Sequence, residues 1–130
     1  MIFGTPFVLD DFEAAWPRIQ RRMARTMAPP GALARIRLKC EDGSAMCLSC
    51  PDGVVVLTLT QSGSTIRLEV MLAVSVGGPG AFLRHEPSMV RFARELGASR
   101  LAFHTDRKGW ARLLGSHWTR REDGSFDRSV

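Results

Sequence analysis

Between residues 41 and 64 the chain marks three reversals of direction. Glu41-Asp42-Gly43, Pro51-Asp52-Gly53 and Ser62-Gly63-Ser64 each gather the residue types that favour tight turns. The stretches they bound, residues 45–50, 54–60 and 66–76, are apolar and of strand length. Strands joined by tight turns fold back on one another, so an antiparallel meander is expected in the middle of the chain. Everything else must pack against that sheet.

The flanking segments read differently. Phe12, Ala15, Trp16, Ile19, Met23 and Met27 recur at helical spacing behind Asp10 and Asp11, whose charges suit a helix start. Pro17 offers a second start near Trp16. Arg18, Arg21, Arg22 and Arg25 cover the other faces and read as the solvated side of an amphipathic helix. Ala28-Pro29-Pro30-Gly31 stops that helix, and residues 34–38 are expected to form a short strand. After the meander comes Gly77-Gly78-Pro79-Gly80. A helix is expected from Glu86-Pro87 to Leu96, burying Met89, Val90, Phe92, Ala93 and Leu96 and stopping at Gly97. Residues 101–104 read as a strand. Residues 108–114 read as a helix with Trp110, Leu113 and Leu114 inward, and residues 118–121 as a last strand. Residues 122–130 are polar and expected to form a loose tail. Strands segregated from helices in this way indicate an α+β domain.

Composition narrows the class. The chain of 130 residues fits one domain spanning residues 1–130, and its 45% apolar and 24% charged content is globular. No apolar run approaches the ~20 residues of a membrane helix. The N-terminus has no basic region followed by an apolar stretch, so a cytoplasmic location is expected, although a virion component would look the same. The cysteines are Cys40, Cys47 and Cys50, an odd number that argues against a disulfide framework. Cys47 and Cys50 form a C-x-x-C, but on a strand they point to opposite faces and do not share a metal. No metal-binding, nucleophile-elbow or Walker phrase occurs. Trp16, Trp110 and Trp118 are expected in core packing rather than as stacking platforms for bases. The net charge is +5, and with lysine only at Lys39 and Lys108, arginine carries nearly all the positive charge. That balance suits phosphate or carboxylate recognition, and equally non-specific attraction to nucleic acid. No groove-reading motif accompanies it, so nucleic acid ranks last among the partners.

The sharpest functional feature is a strand that ends in a glycine cluster and feeds a helix. Glycines let backbone N–H groups converge on an anion, and the helix N-terminus adds its own donors. A pyrophosphate would suit that place. The phrases around it form a set. Val70 through Val76 lead into Gly77-Gly78-Pro79-Gly80-Ala81. Next come Phe92-Ala93-Arg94-Glu95-Leu96-Gly97-Ala98, Leu101-Ala102-Phe103-His104, and Arg107-Lys108-Gly109-Trp110-Ala111-Arg112-Leu113-Leu114. From about Ile66 to Arg121, a little under half the chain, this resembles the second half of a GNAT-superfamily N-acyltransferase. The Arg-Lys-Gly-Trp phrase resembles small bacteriophage-encoded GNAT-like proteins.

The resemblance implies a GNAT-like mixed, mostly antiparallel sheet flanked by helices. It implies acetyl-CoA as acyl donor and an amine acceptor, either a small molecule or a protein. Val74, Ser75 and Val76 would pair with the pantetheine arm through their backbones, and Gly78, Gly80 and Ala81 would hold the pyrophosphate. Glu69 or His104 would take the amine proton, since each could place a base beside the central strand. His85 and His117 carry no comparable argument. Two departures from the family pattern stand out. In the pyrophosphate loop only Gly80 matches, and the chain has no tyrosine, Leu113 standing where many members carry a general-acid Tyr. The alternative these departures raise is a non-catalytic GNAT-like virion, assembly or host-interaction protein that binds a phage or host protein partner.

Overall fold

A computed structural model describes residues 2–22, 30–75, 79–105 and 109–130. Met23, Arg25 and Met27 of the expected first helix lie outside the described residues, as do Val76, Gly77, Gly78, Asp106, Arg107 and Lys108. The elements run β1 (Val8–Leu9), α1 (Phe12–Arg22), α2 (Pro30–Glu41), β2 (Ala45–Cys50), β3 (Gly53–Ser62), β4 (Thr65–Ser75) and α3 (Pro79–Glu95). They continue with β5 (Arg100–His104), α4 (Trp110–Leu113), β6 (Thr119–Arg120) and β7 (Ser125–Ser129). One seven-stranded sheet has the order β1-β2-β3-β4-β5-β7-β6. Every neighbouring pair is antiparallel except β4 and β5, which are parallel. The expected α+β, mixed and mostly antiparallel architecture is therefore the observed one.

Each face of the sheet carries its own core. On one face, Leu48, Val55, Leu57, Leu68, Val70, Leu101, Phe103 and Phe126 pack with Met89 and Phe92 of α3. On the other, Cys47, Val54, Val56, Leu72 and Val74 pack with Phe12, Ala15 and Ile19 of α1 and Ile36 of α2. Fully burying an apolar side chain of this size contributes roughly 1.5–3 kcal/mol. Cys47 and Cys50 fall on opposite faces, as strand alternation requires, and all three cysteines are free thiols. Burial pushes the Cys47 thiol up to about 12. Native protein at pH 8 should therefore leave Cys47 unmodified by a thiol reagent while denatured protein reacts fully. Rapid native labelling of Cys47, read by mass spectrometry, would contradict the packing described.

Five expectations need correction. Residues 34–38 belong to helix α2, not to a strand. Their alternation mimics a strand, but the residues that pack into the core are Leu33, Ile36 and Cys40, which recur at helical spacing, while Leu38 points outward. The helix at Pro87 begins earlier, at Pro79, and runs through the proline. Pro17 likewise lies inside α1, which starts at Phe12 behind Asp11, whose Oδ2 accepts the Ala14 N–H at 3.1 Å. Both prolines lie on the exposed side of their helix. The polar C-terminal segment is not a loose tail, because β7 lies between β5 and β6 and buries Phe126 and Asp127. Finally, Leu114 points inward but Leu113 is 47% exposed.

Candidate functional site at the split between β4 and β5

β4 and β5 start as neighbours and then part. Their pairing covers Arg67↔Arg100, Leu68↔Leu101, Glu69↔Ala102 and Val70↔Phe103 and ends there, yet β4 continues to Ser75 beside β3. A bulge marks the point of separation. Leu57 pairs with Val70 and Val56 with Leu72, so Met71 is the extra residue on β4. The bulge turns the strand over. Leu68 and Val70 face α3, whereas Leu72 and Val74 face α1 and α2. A wedge thus opens beyond Val70, bordered by one edge of β4.

α3 begins close to the end of that edge. Gly80 and Ala81 lie in its first turn, in the helix rather than in a loop as the sequence suggested, and Ala81 is buried. First-turn N–H groups have no carbonyl four residues back within the helix, so this end favours an anion. A Cβ placed on Gly80 would meet only Nη1 of Arg84, at 3.8 Å. The sequence reading missed that guanidinium, which an i, i+4 relation to Gly80 could have revealed. It also missed His85, whose Nε2 lies 2.7 Å from Oδ2 of Asp52 in the β2–β3 turn. This contact ties the first turns of α3 to the end of the sheet. Gly53 in that turn approaches β4 so closely that a Cβ would stand 2.0 Å from the Val74 carbonyl oxygen.

The expected cofactor residues therefore divide. Val74 and Ser75 form the end of β4, paired with Val54 and Gly53 on the β3 side. Gly80 and Ala81 open α3, and Val76 and Gly78 lie outside the described residues. Both candidate bases stand on the α1/α2 face of the sheet and flank the split. Glu69 occupies the last row but one before the strands part, in line with Thr58, Ala102 and Asp127. It is half-buried and makes no hydrogen bond or ion pair among the described residues. His104 ends β5 and is exposed, with Nε2 placed 3.2 Å from the Asp123 carbonyl oxygen.

The same face carries a charged cluster around Asp127, whose side chain is 1% exposed. Arg100 forks onto it through Nε (3.0 Å) and Nη2 (2.9 Å), and Arg121 through Nε (3.1 Å) and Nη2 (3.0 Å). Burial pushes the Asp127 carboxyl upward, but hydrogen bonds from Arg100 and Arg121 and their charges outweigh it and hold the group below its ordinary value. On the opposite face Phe82, Phe103, Trp110, Trp118 and Phe126 form an aromatic cluster between α3, α4 and the sheet. Glu86 of α3 accepts from the Trp118 indole N–H and from Arg128 there. In α1, Arg18 donates to the carbonyls of Cys50 and Pro51, which gives it a structural role. Among the described residues no group of His, Cys, Asp and Glu could hold a metal ion, and no helix is long and apolar enough to cross a membrane.

A mixed sheet whose central parallel pair splits at a bulge, with a helix N-terminus following the longer strand, is a GNAT-like fold. Solved structures that share it include two N-acyl amino acid-forming enzymes. FeeM, an N-acyl amino acid synthase from uncultured soil microbes, superposes with a TM-score of 0.64 at 13% identity, covering 95% of this chain and 87% of its own. N-acetylglutamate synthase from Neisseria gonorrhoeae, solved with coenzyme A and N-acetyl-glutamate, superposes with a TM-score of 0.57 at 17% identity. That match covers 97% of this chain and 34% of the synthase, so the chain spans about a third of that enzyme. At such identities the likeness is one of fold. No protein-family model matches the chain, and no curated protein sequence matches it.

Proposed function

We propose that the chain is an acyl-CoA-dependent N-acyltransferase that modifies an amine. The observation that carries this reading is the split itself, since the β4–β5 ladder ends at Val70↔Phe103 while β4 runs on beside β3. Such an edge pairs with an extended amide-bearing arm much as another strand would. Val74, Ser75 and Val76 would hold the pantetheine of acetyl-CoA there. Gly78 and the first turn of α3 at Gly80 and Ala81 would receive the pyrophosphate, with Arg84 supplying a guanidinium beside it. A guanidinium is the one group near the Cβ position of Gly80 among the described residues, and the two neighbours named above are enzymes that form N-acyl amino acids.

Bound acyl-CoA would supply an activated thioester carbonyl and a thiolate able to leave without a general acid, since an ordinary thiol has a pKa near ~8.5. The chain must then provide a base and orientation. Glu69 is a carboxylate unpaired among the described residues at the base of the wedge, suited to hold an ammonium and accept its proton. His104, across the split on β5, is the second candidate.

The test is calorimetric titration of the purified chain with acetyl-CoA, with free CoA as its control. Saturable binding, abolished by Gly80→Trp in a protein of unchanged circular dichroism, is the expected result. A Cβ at Gly80 meets no backbone within 4 Å, and the unchanged circular dichroism ties loss of binding to the site. No binding at millimolar ligand would sink the reading and favour a non-catalytic GNAT-like protein that acts through a phage or host protein partner. The missing tyrosine, with an exposed Leu113 in its place, is the observation on that side. A bacteriophage origin rests on the Arg107-Lys108-Gly109-Trp110 phrase.

A further inference from the structure

The Asp127 cluster contains one arginine too many for the carboxylate at its centre. A carboxylate offers about four lone-pair sites. Arg100 and Arg121 each place one nitrogen on Oδ1 and one on Oδ2 of Asp127, at 2.9–3.1 Å. The acceptor is saturated. The third arginine, Arg67, approaches Oδ2 only to 3.8 Å, and its Nε is buried with no hydrogen-bond partner. Nε itself is closed to solvent, but the side chain as a whole is 36% exposed.

Arg67 stands two positions before Glu69 on β4, hence on the same face, at about 7 Å along the strand. A buried donor without an acceptor is costly, and so is a half-buried carboxylate without a donor. Here both occur side by side and are not paired with each other. Among the described residues, Asp123 and His104 are further ionisable groups near this patch. The Asp123 carboxylate is engaged by Ser125 and feels His104 and Arg67 only through space. His104 lies against the Asp123 carbonyl.

We infer that Arg67 and Glu69 together form the acceptor subsite, and that the acceptor is a free amino acid or a like zwitterion. Its carboxylate would take the open fork of Arg67, and its ammonium would sit on Glu69 at the base of the wedge. Asp127 acts as a positioning residue: by saturating itself on Arg100 and Arg121 it leaves Arg67 attracted but unsatisfied, fixed in place for an incoming oxyanion. This inference rests on the acyl-transfer reading, since it supplies that reaction's second substrate.

The experiment titrates the full chain with a panel of free L-amino acids and with the matched amines that lack the carboxylate, by calorimetry, with and without free CoA. At least one amino acid is expected to bind tenfold or more tightly than its decarboxylated partner. Arg67→Gln is expected to abolish that preference, Arg67→Lys to weaken it, and Arg91→Gln, which alters an exposed α3 ion pair, to leave it intact. Equal binding of both members of every pair, or no amino-acid binding in either condition, would overturn the subsite. If CoA binds but the carboxylate preference is absent, only the subsite fails. If amino acids bind in an Arg67-dependent way but CoA does not, the acyl-transfer reading fails and the zwitterion site stands.

Discussion

Replacing Asp127 with alanine is expected to destabilise the folded chain by about 3 kcal/mol, measured as a lower urea midpoint with unchanged slope. Removing one partner of a buried ion pair costs about 3–5 kcal/mol, because the charge left behind has lost both water and counter-charge. The lower end applies here. Arg100, Arg67 and Arg121 are 24%, 36% and 47% exposed, so water screens part of the repulsion that the lost carboxylate had masked. The pH dependence follows from the depressed carboxyl. A group whose folded pKa lies below its unfolded value stabilises the protein above the unfolded value, near ~3.9, and loses that contribution as pH falls through the folded one. Wild-type stability should therefore drop between about pH 4 and the acid limit, and the Asp127→Ala variant should show a shallower drop over the same window. Equal midpoints for the two proteins at pH 7 would remove the cluster from any structural role.

What the sequence made legible depended on how local each signal was. The meander was readable because Asp42-Gly43, Asp52-Gly53 and Gly63 reverse the chain within a few residues, and the strands on either side pair in sequence order. The helix over residues 34–38 was not, because Ala34-Arg35-Ile36-Arg37-Leu38 alternates as a strand does. Only the tertiary contacts of Leu33, Ile36 and Cys40 reveal the helical face. β7 escaped for a different reason. Its ladder partner β5 precedes it by over twenty residues, and its inward face holds a buried Asp127 that reads as a surface residue until its arginines are in place. The same non-locality hid the site. Glu69 could be placed on a central strand from sequence alone. The row joining it to Ala102 and Asp127, and the saturated carboxylate that leaves Arg67 open, exist only once β4, β5 and β7 are side by side.

Glu69→Gln is expected to lower the rate of acyl transfer by roughly 10²–10⁴-fold while leaving acetyl-CoA affinity unchanged, measured as thiol release from acetyl-CoA at saturating amine. The two halves of that expectation separate chemistry from structure. Among the described residues Glu69 makes no hydrogen bond or ion pair, and its lateral neighbours are Thr58 and Ala102, whose side chains are too small to depend on it. Thr58 in particular directs its hydroxyl to the Ser44 carbonyl oxygen. An isosteric amide therefore keeps the packing, and since it removes a half-buried charge that no donor meets, the folded state should be no less stable than wild type. What it removes is the proton acceptor. If His104 were the base instead, Glu69→Gln would leave the rate within a few-fold and His104→Gln would carry the loss. If both variants kept full rate, neither group would act as base and the amine would have to arrive already deprotonated. The rate would then rise with pH toward the pKa of the amine itself, a dependence that the Glu69 mechanism does not produce.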